Sequence, residues 1–96
     1  MAEFVLSRLA GQDLIDLWTF IAEDNIDAAD AMVSSIEEAT GRLAEMPGMG
    51  HTRKDLTSQD VLFWPVKFRI VIYRNREPLE VVRILSAYRN IAALLG

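Results

Sequence analysis

Six cations, Arg53, Lys54, Lys67, Arg69, Arg83 and Arg89, are the side chains best placed to do chemistry, because all fall in the C-terminal half and most lie among strand-forming residues. Brought together, such groups hold phosphates, carboxylates or an RNA backbone. His51 and Tyr88 are the obvious proton-transfer candidates nearby. Each also has a plainer reading: His51 stands in a glycine-bounded loop that suits a surface residue, and Tyr88 suits packing. Asp55, Asp60, Glu77 and Glu80 could neutralise part of the cationic set. The chain has no phosphate-cradling glycine loop, no HExxH and no paired-carboxylate pattern. One histidine and no cysteine leave neither a zinc site of the usual kind nor thiolate chemistry. No metal or other cofactor is expected, and catalysis is not demanded by these residues.

The elements that must position the cations can be read from periodicity. In KFRIVIYRNREPLEVVRILSAYR, two β-branched and aromatic runs, Lys67 to Arg74 and Leu79 to Leu85, flank Asn75-Arg76-Glu77-Pro78 and predict a β-hairpin. Alternation puts Lys67, Arg69, Val71 and Tyr73 on one face of the first strand, and Leu79, Val81, Arg83 and Leu85 on one face of the second. Val61 to Val66 (VLFWPV) adds a strand that Pro65 pushes toward a sheet edge. Glu3 to Ser7 reads as a short strand ending where Ser7 can cap a helix.

From Leu9 to Glu23, Ala10, Leu14, Leu17, Trp18 and Ile21 recur at spacings of three and four, and from Asp27 onward Ala29, Met32, Val33, Ile36, Ala39, Leu43 and Met46 do the same. Pro47-Gly48-Met49-Gly50 ends the second helix. His51 to Asp60 is a polar loop, and Asn90 to Leu95 forms either a short helical turn or irregular packing. The order β-α-α-β-β-β predicts a two-layer α+β domain over residues 1–96, with a helix hairpin on one face of a small antiparallel sheet and the other face open for function.

Net charge is −4, but residues 1–48 hold ten acids and two bases while residues 49–96 hold four acids and eight bases. The halves therefore carry −8 and +4, which points to an anionic ligand or acidic partner for the C-terminal half. At 96 residues the chain suits one small domain of modest stability. No apolar run approaches the roughly 18 to 20 residues that span a bilayer, and MAEFVLSRLAGQD lacks a basic leader, so no membrane association and a cytoplasmic location are expected.

The ordered set Leu6-Ser7, Asp13-Leu14, Leu17-Trp18, Asn25, Ala28-Ala29, Leu43-Ala44, Pro47-Gly48-Met49-Gly50, Arg53, Asp55-Leu56, Phe68-Arg69-Ile70, Tyr73-Arg74, Arg83-Ile84-Leu85 and Arg89 resembles the ParE branch of the RelE/ParE toxins of type II toxin-antitoxin systems. His51 departs from the arginine usual in relatives, and Ser86-Ala87-Tyr88-Arg89-Asn90 replaces a common His-Gly-x-Arg-Asp. The resemblance implies a toxin that inhibits DNA gyrase and is neutralised by a ParD-like antitoxin in a hetero-oligomeric complex, meeting DNA only through that antitoxin. It leaves two alternatives. One is a RelE-like ribosome-dependent mRNA endoribonuclease, for which Lys54, Arg83 and Tyr88 would serve, and the other is a non-toxic antitoxin-binding module. Target contacts are expected from Arg53, Lys54, Lys67, Arg69, Arg83 and Arg89. Antitoxin contacts are expected from Trp18, Phe20, Met32, Trp64, Arg69, Arg74 and Arg83, with acidic residues or carbonyls meeting the arginines.

Overall fold

The computed structural model of the chain describes residues 3–95. Its elements are β1 (Phe4–Leu6), α1 (Arg8–Ala22), α2 (Ile26–Glu45), a 3-10 turn (Pro47–Met49), β2 (Leu62–Val66), β3 (Arg69–Arg74), β4 (Leu79–Ser86) and α3 (Ile91–Leu95). Helix starts follow the capping chemistry. The Ser7 hydroxyl accepts from the Ala10 N–H at 3.0 Å, and the Asn25 side chain accepts from the Ala28 N–H at 2.9 Å. The apolar stripes of α1 and α2 bury Ala10, Leu17, Ala29, Met32, Ile36, Ala39 and Leu43.

The sheet order is β1-β4-β3-β2. β2, β3 and β4 form the expected antiparallel meander, but β1 pairs with β4 in parallel, so the sheet is mixed rather than antiparallel. The meander reverses direction twice, which leaves β4 running with β2. The long crossover through both helices lets the same direction match β1.

Two strand details also differ from the alternation read along the chain. Lys67 and Phe68 form the β2–β3 turn instead of opening β3, with Lys67 in the left-handed region at φ 56°. That conformation costs a non-glycine residue about 1 kcal/mol. In β4, Ile72 pairs with Arg83 while Tyr73 pairs with Val81, so Val82 is an extra residue. This bulge puts Ile84, in place of Arg83 or Leu85, beside Val81 in the helix-side core.

The other face of the sheet is not open. Val61, Phe63, Ile72, Leu85 and Ile91 form a second core there, with Leu56 of the polar loop and Leu94 and Leu95 of α3 packed against it. The half-buried and buried residues on both sides of β3 and β4 require two coverings, and the helix hairpin supplies only one.

Tyr73 fixes the turn after α2. Its fully buried hydroxyl donates to the Pro47 carbonyl at 2.7 Å and accepts from the Gly50 N–H at 2.9 Å. Gly50 is needed because a Cβ there would collide with the Tyr73 hydroxyl. Burial pushes the Tyr73 pKa up. The raised folded value means that this stabilisation is complete below the unfolded pKa of about 10 and is lost as pH rises through the folded one. Tyr73→Phe should lower unfolding free energy by about 1–3 kcal/mol, measured by urea denaturation, because Gly50 N–H loses its acceptor. The variant should also lack the wild-type decline in stability above pH about 10.

Candidate functional site

Beyond Val81, β4 runs on past the end of β1, and its exposed edge is closed by the start of α1. The Ser7 N–H donates to Val81 O at 2.9 Å, and its hydroxyl donates to Val82 O at 2.7 Å. One Asp13 oxygen accepts from the Ile84 N–H at 2.9 Å. The same carboxylate takes both arms of Arg83, Nε at 2.9 Å and the terminal nitrogen at 3.0 Å. The two side chains are only 16% and 12% exposed. Hydrogen bonding to Asp13 raises the Arg83 pKa further, against the opposing effect of burial. Arg83, expected to face a target or an antitoxin acid, is thus already satisfied by an acid of its own chain.

The remaining cations do not converge on one face. Arg53 is bound by Asp55 at 2.8 Å, which raises the arginine pKa and lowers that of Asp55, chiefly through their hydrogen bond. Arg74 meets Glu80 at 3.4 Å and Gln59 at 3.3 Å, and Arg76 shares the same Glu80. The Arg74–Gln59 contact holds the polar loop, with Arg53 and Lys54, toward the Arg74 end of β3. Lys67, Arg69 and Arg89 gather at the opposite end, about 17 Å away along the strand. Lys54 and Tyr88 therefore lie toward opposite ends of the sheet, and Arg83 is held by Asp13, so the three do not form one proton-transfer centre.

At the Arg69 end an open groove of about 540 Å³ lies between α1 and the sheet, lined by Asp16, Leu17, Phe20, Arg69, Leu85, Ser86, Tyr88 and Arg89, with Asp13 and Ile84 at its inner wall. Phe68, from the tight turn, stacks on Tyr88 at a centroid distance of 6.2 Å. A second, apolar hollow of about 270 Å³ lies on the helix hairpin between Leu14, Ile15, Trp18 and Val33. Trp18 is fixed there by a 2.8 Å hydrogen bond from its indole to Asp30. Of the expected antitoxin anchors, Trp18 and Phe20 are exposed, Trp64 is half-buried and stacks on His51, and Met32 is core at 8% exposure. Met32 faces the sheet because it sits three and four residues from Ala29 and Ile36.

Asp13, Ile15 and Phe68 are the residues that sequence reading missed. Asp13 carried a signal, since the series Ala10, Asp13, Leu17 places an acid on the buried stripe itself, where only a cation or backbone donor can satisfy it. Asp13→Ala should destabilise the fold by about 3 kcal/mol in urea denaturation, because it strands a mostly buried guanidinium and a strand N–H. Replacing both partners, as Asp13→Leu with Arg83→Met, should cost less than the single change, and the double-mutant cycle measures the difference.

The chain matches the family described as the ParE toxin of the type II toxin-antitoxin system, parDE, over residues 4–91. Toxin ParE3 of Caulobacter vibrioides is 31% identical over all of this chain and 97% of its own length. Toxin ParE1 of the same organism is 29% identical over the whole of both chains. A solved structure of the chromosomal ParDE toxin-antitoxin system from P. aeruginosa superposes with a TM-score of 0.72 at 18% identity, covering 90% of this chain and 96% of that one. The α+β arrangement of helix hairpin and mixed sheet is shared with that structure. With the match spanning nearly every element from β1 to the start of α3, the chain belongs to the ParE toxin family of type II toxin-antitoxin systems.

Proposed function

We propose that the chain, acting as one domain over residues 1–96, is a cytoplasmic toxin that inhibits DNA gyrase and is held inactive by a ParD-like antitoxin in a hetero-oligomeric complex. The engagement of Arg83 by Asp13, with Lys54 toward the other end of the sheet from Tyr88, carries the choice of gyrase over mRNA. An endoribonuclease needs cations and proton-transfer groups within reach of one phosphate. Here the bidentate pair with Asp13 occupies the arginine such chemistry would use. Among the described residues no helix is long and apolar enough to cross a membrane.

The helix hairpin supplies the antitoxin seat in this reading. Its hollow at Leu14, Ile15, Trp18 and Val33 presents apolar side chains at the spacing an amphipathic helix can fill. Ile15 is 60% exposed, unusually open for its type, and Trp18 is an anchor of the kind that dominates interfaces. Antitoxin contact through Arg74 or Arg83 is replaced by contact through Ile15 and Trp18, because both arginines already have acids.

Supercoiling by purified gyrase, titrated with the chain alone and with the antitoxin added, tests the proposal. Inhibition that the antitoxin reverses is the expected result. Cutting of ribosome-bound mRNA with gyrase untouched would reverse the assignment. Ile15→Asp should weaken antitoxin binding by about 10- to 100-fold in calorimetry, since it places a charge in the centre of an apolar seat.

A further inference from the structure

We propose that the tip of the β2–β3 hairpin is the surface that grips the toxin's protein target, and that it fits an acidic segment carrying an apolar side chain. The inference rests on the reading of the chain as a toxin with a protein target and adds where and by what chemistry contact is made. Phe68 is 66% exposed and Tyr88 is 82% exposed, yet the rings stack on each other in solvent instead of entering either core. Stacking holds them as a preformed aromatic surface, which an interface can use without ordering flexible groups. Lys67, immediately before Phe68, is the residue in the left-handed region. A lysine kept where glycine would be relaxed presents the next side chain outward at the cost of backbone strain, as binding surfaces do.

Charge selects the partner. Arg42, Arg53, Arg74, Arg76 and Arg83 each have a carboxylate within 4.0 Å among the described residues, whereas Arg8, Lys54, Lys67, Arg69 and Arg89 have none, and the last three of these lie together at the hairpin tip and its groove. The groove's own acids are not in contact with them, since Asp13 is taken by Arg83, and Asp16, though charged, lies beyond 4.0 Å of both Arg69 and Arg89. Carboxylates of a partner would find Arg69 and Arg89 free. An apolar side chain between them would rest on Leu17 and Leu85, with Phe20 as the far wall. A protein segment fits better than a nucleic acid. Three cations on a chain of net charge −4, in the same domain as helices that carry half of its acids, give a local attraction without the broad positive field that a polyanion requires. The antitoxin hollow uses Ile15 and Trp18, on a different face of α1 from Leu17 and Phe20.

Growth arrest on induced expression of the full chain reads target engagement whatever the target. Phe68→Ser with Tyr88→Ser, and separately Arg69→Glu with Arg89→Glu, should each require about tenfold more protein for the same arrest. Met46→Ser, at an exposed site away from the tip, should arrest growth as the wild type does. Both double variants should melt within about 2 °C of the wild type, because no core side chain is changed. They should also co-purify with a coexpressed ParD-like antitoxin in wild-type yield. Undiminished arrest by both double variants overturns the inference, as does a wild type that causes no arrest. Loss of antitoxin co-purification would make the tip the antitoxin seat, and tip-dependent binding of a labelled single-stranded oligonucleotide would make it a nucleic-acid site; either overturns it. Supercoiling assays run in parallel keep the two readings separate. Arrest without gyrase inhibition refutes gyrase as the target, while the variants still judge the tip.

Discussion

The Asp13 carboxylate joins the two layers of this protein. Strand β1 covers β4 only from Leu79 to Val81, so the rest of that edge would be left with unpaired backbone groups against α1. Asp13 accepts the Ile84 N–H and both arms of Arg83, and Ser7, six residues earlier in the chain, donates to the neighbouring carbonyls of Val81 and Val82. A helix face thus replaces a missing strand. Placing a carboxylate in such a position is expensive unless it is fully paired, and three donors pair it. The angle at which α1 meets the sheet, and hence the groove along its flank, follows from this connection.

The same pairing limits what the cationic half of the chain can do. Arg83 supplies a structural counter-charge, and Arg74 and Arg76 share Glu80 at the other end of the sheet. Most of the arginines of the C-terminal half are consumed internally, and the cations left unpaired among the described residues include a group of three at the Arg69 end. The sheet edges are managed as well. The N–H and carbonyl of Phe63 on β2 are both bound by His51, and Pro65 has no N–H to offer, so β2 is a poor template for another strand. Interaction is thereby directed to side-chain surfaces, namely the helix hairpin on one side and the hairpin tip with its groove on the other.

The two cores explain why a sheet of four short strands is stable in so small a chain. Val71 and Tyr73 face the helices while Ile72 faces α3 and the polar loop, so adjacent residues of β3 are buried on opposite sides. A loop that looked free for binding is held by Leu56, and a C-terminal turn too short to be a stable helix alone is held by Ile91. Covering both faces moves function from the sheet surface to the sheet's end.

Local patterns in the sequence determined the helix hairpin, the capping by Ser7, the turn at Pro47 to Gly50, the edge position of Pro65 and the β3–β4 hairpin, because each depends on neighbours within a few residues. The ordered motifs also placed the chain in its family. Tertiary structure alone decided the parallel pairing of β1 with β4, the bulge at Val82 and the covering of the second sheet face, since these depend on residues more than 70 positions apart or on which of two apolar faces finds a partner. It also decided the fate of the cations. Sequence counts charges, but whether an arginine is free or spent depends on where the carboxylates arrive, and Asp13 arrives from 70 residues away.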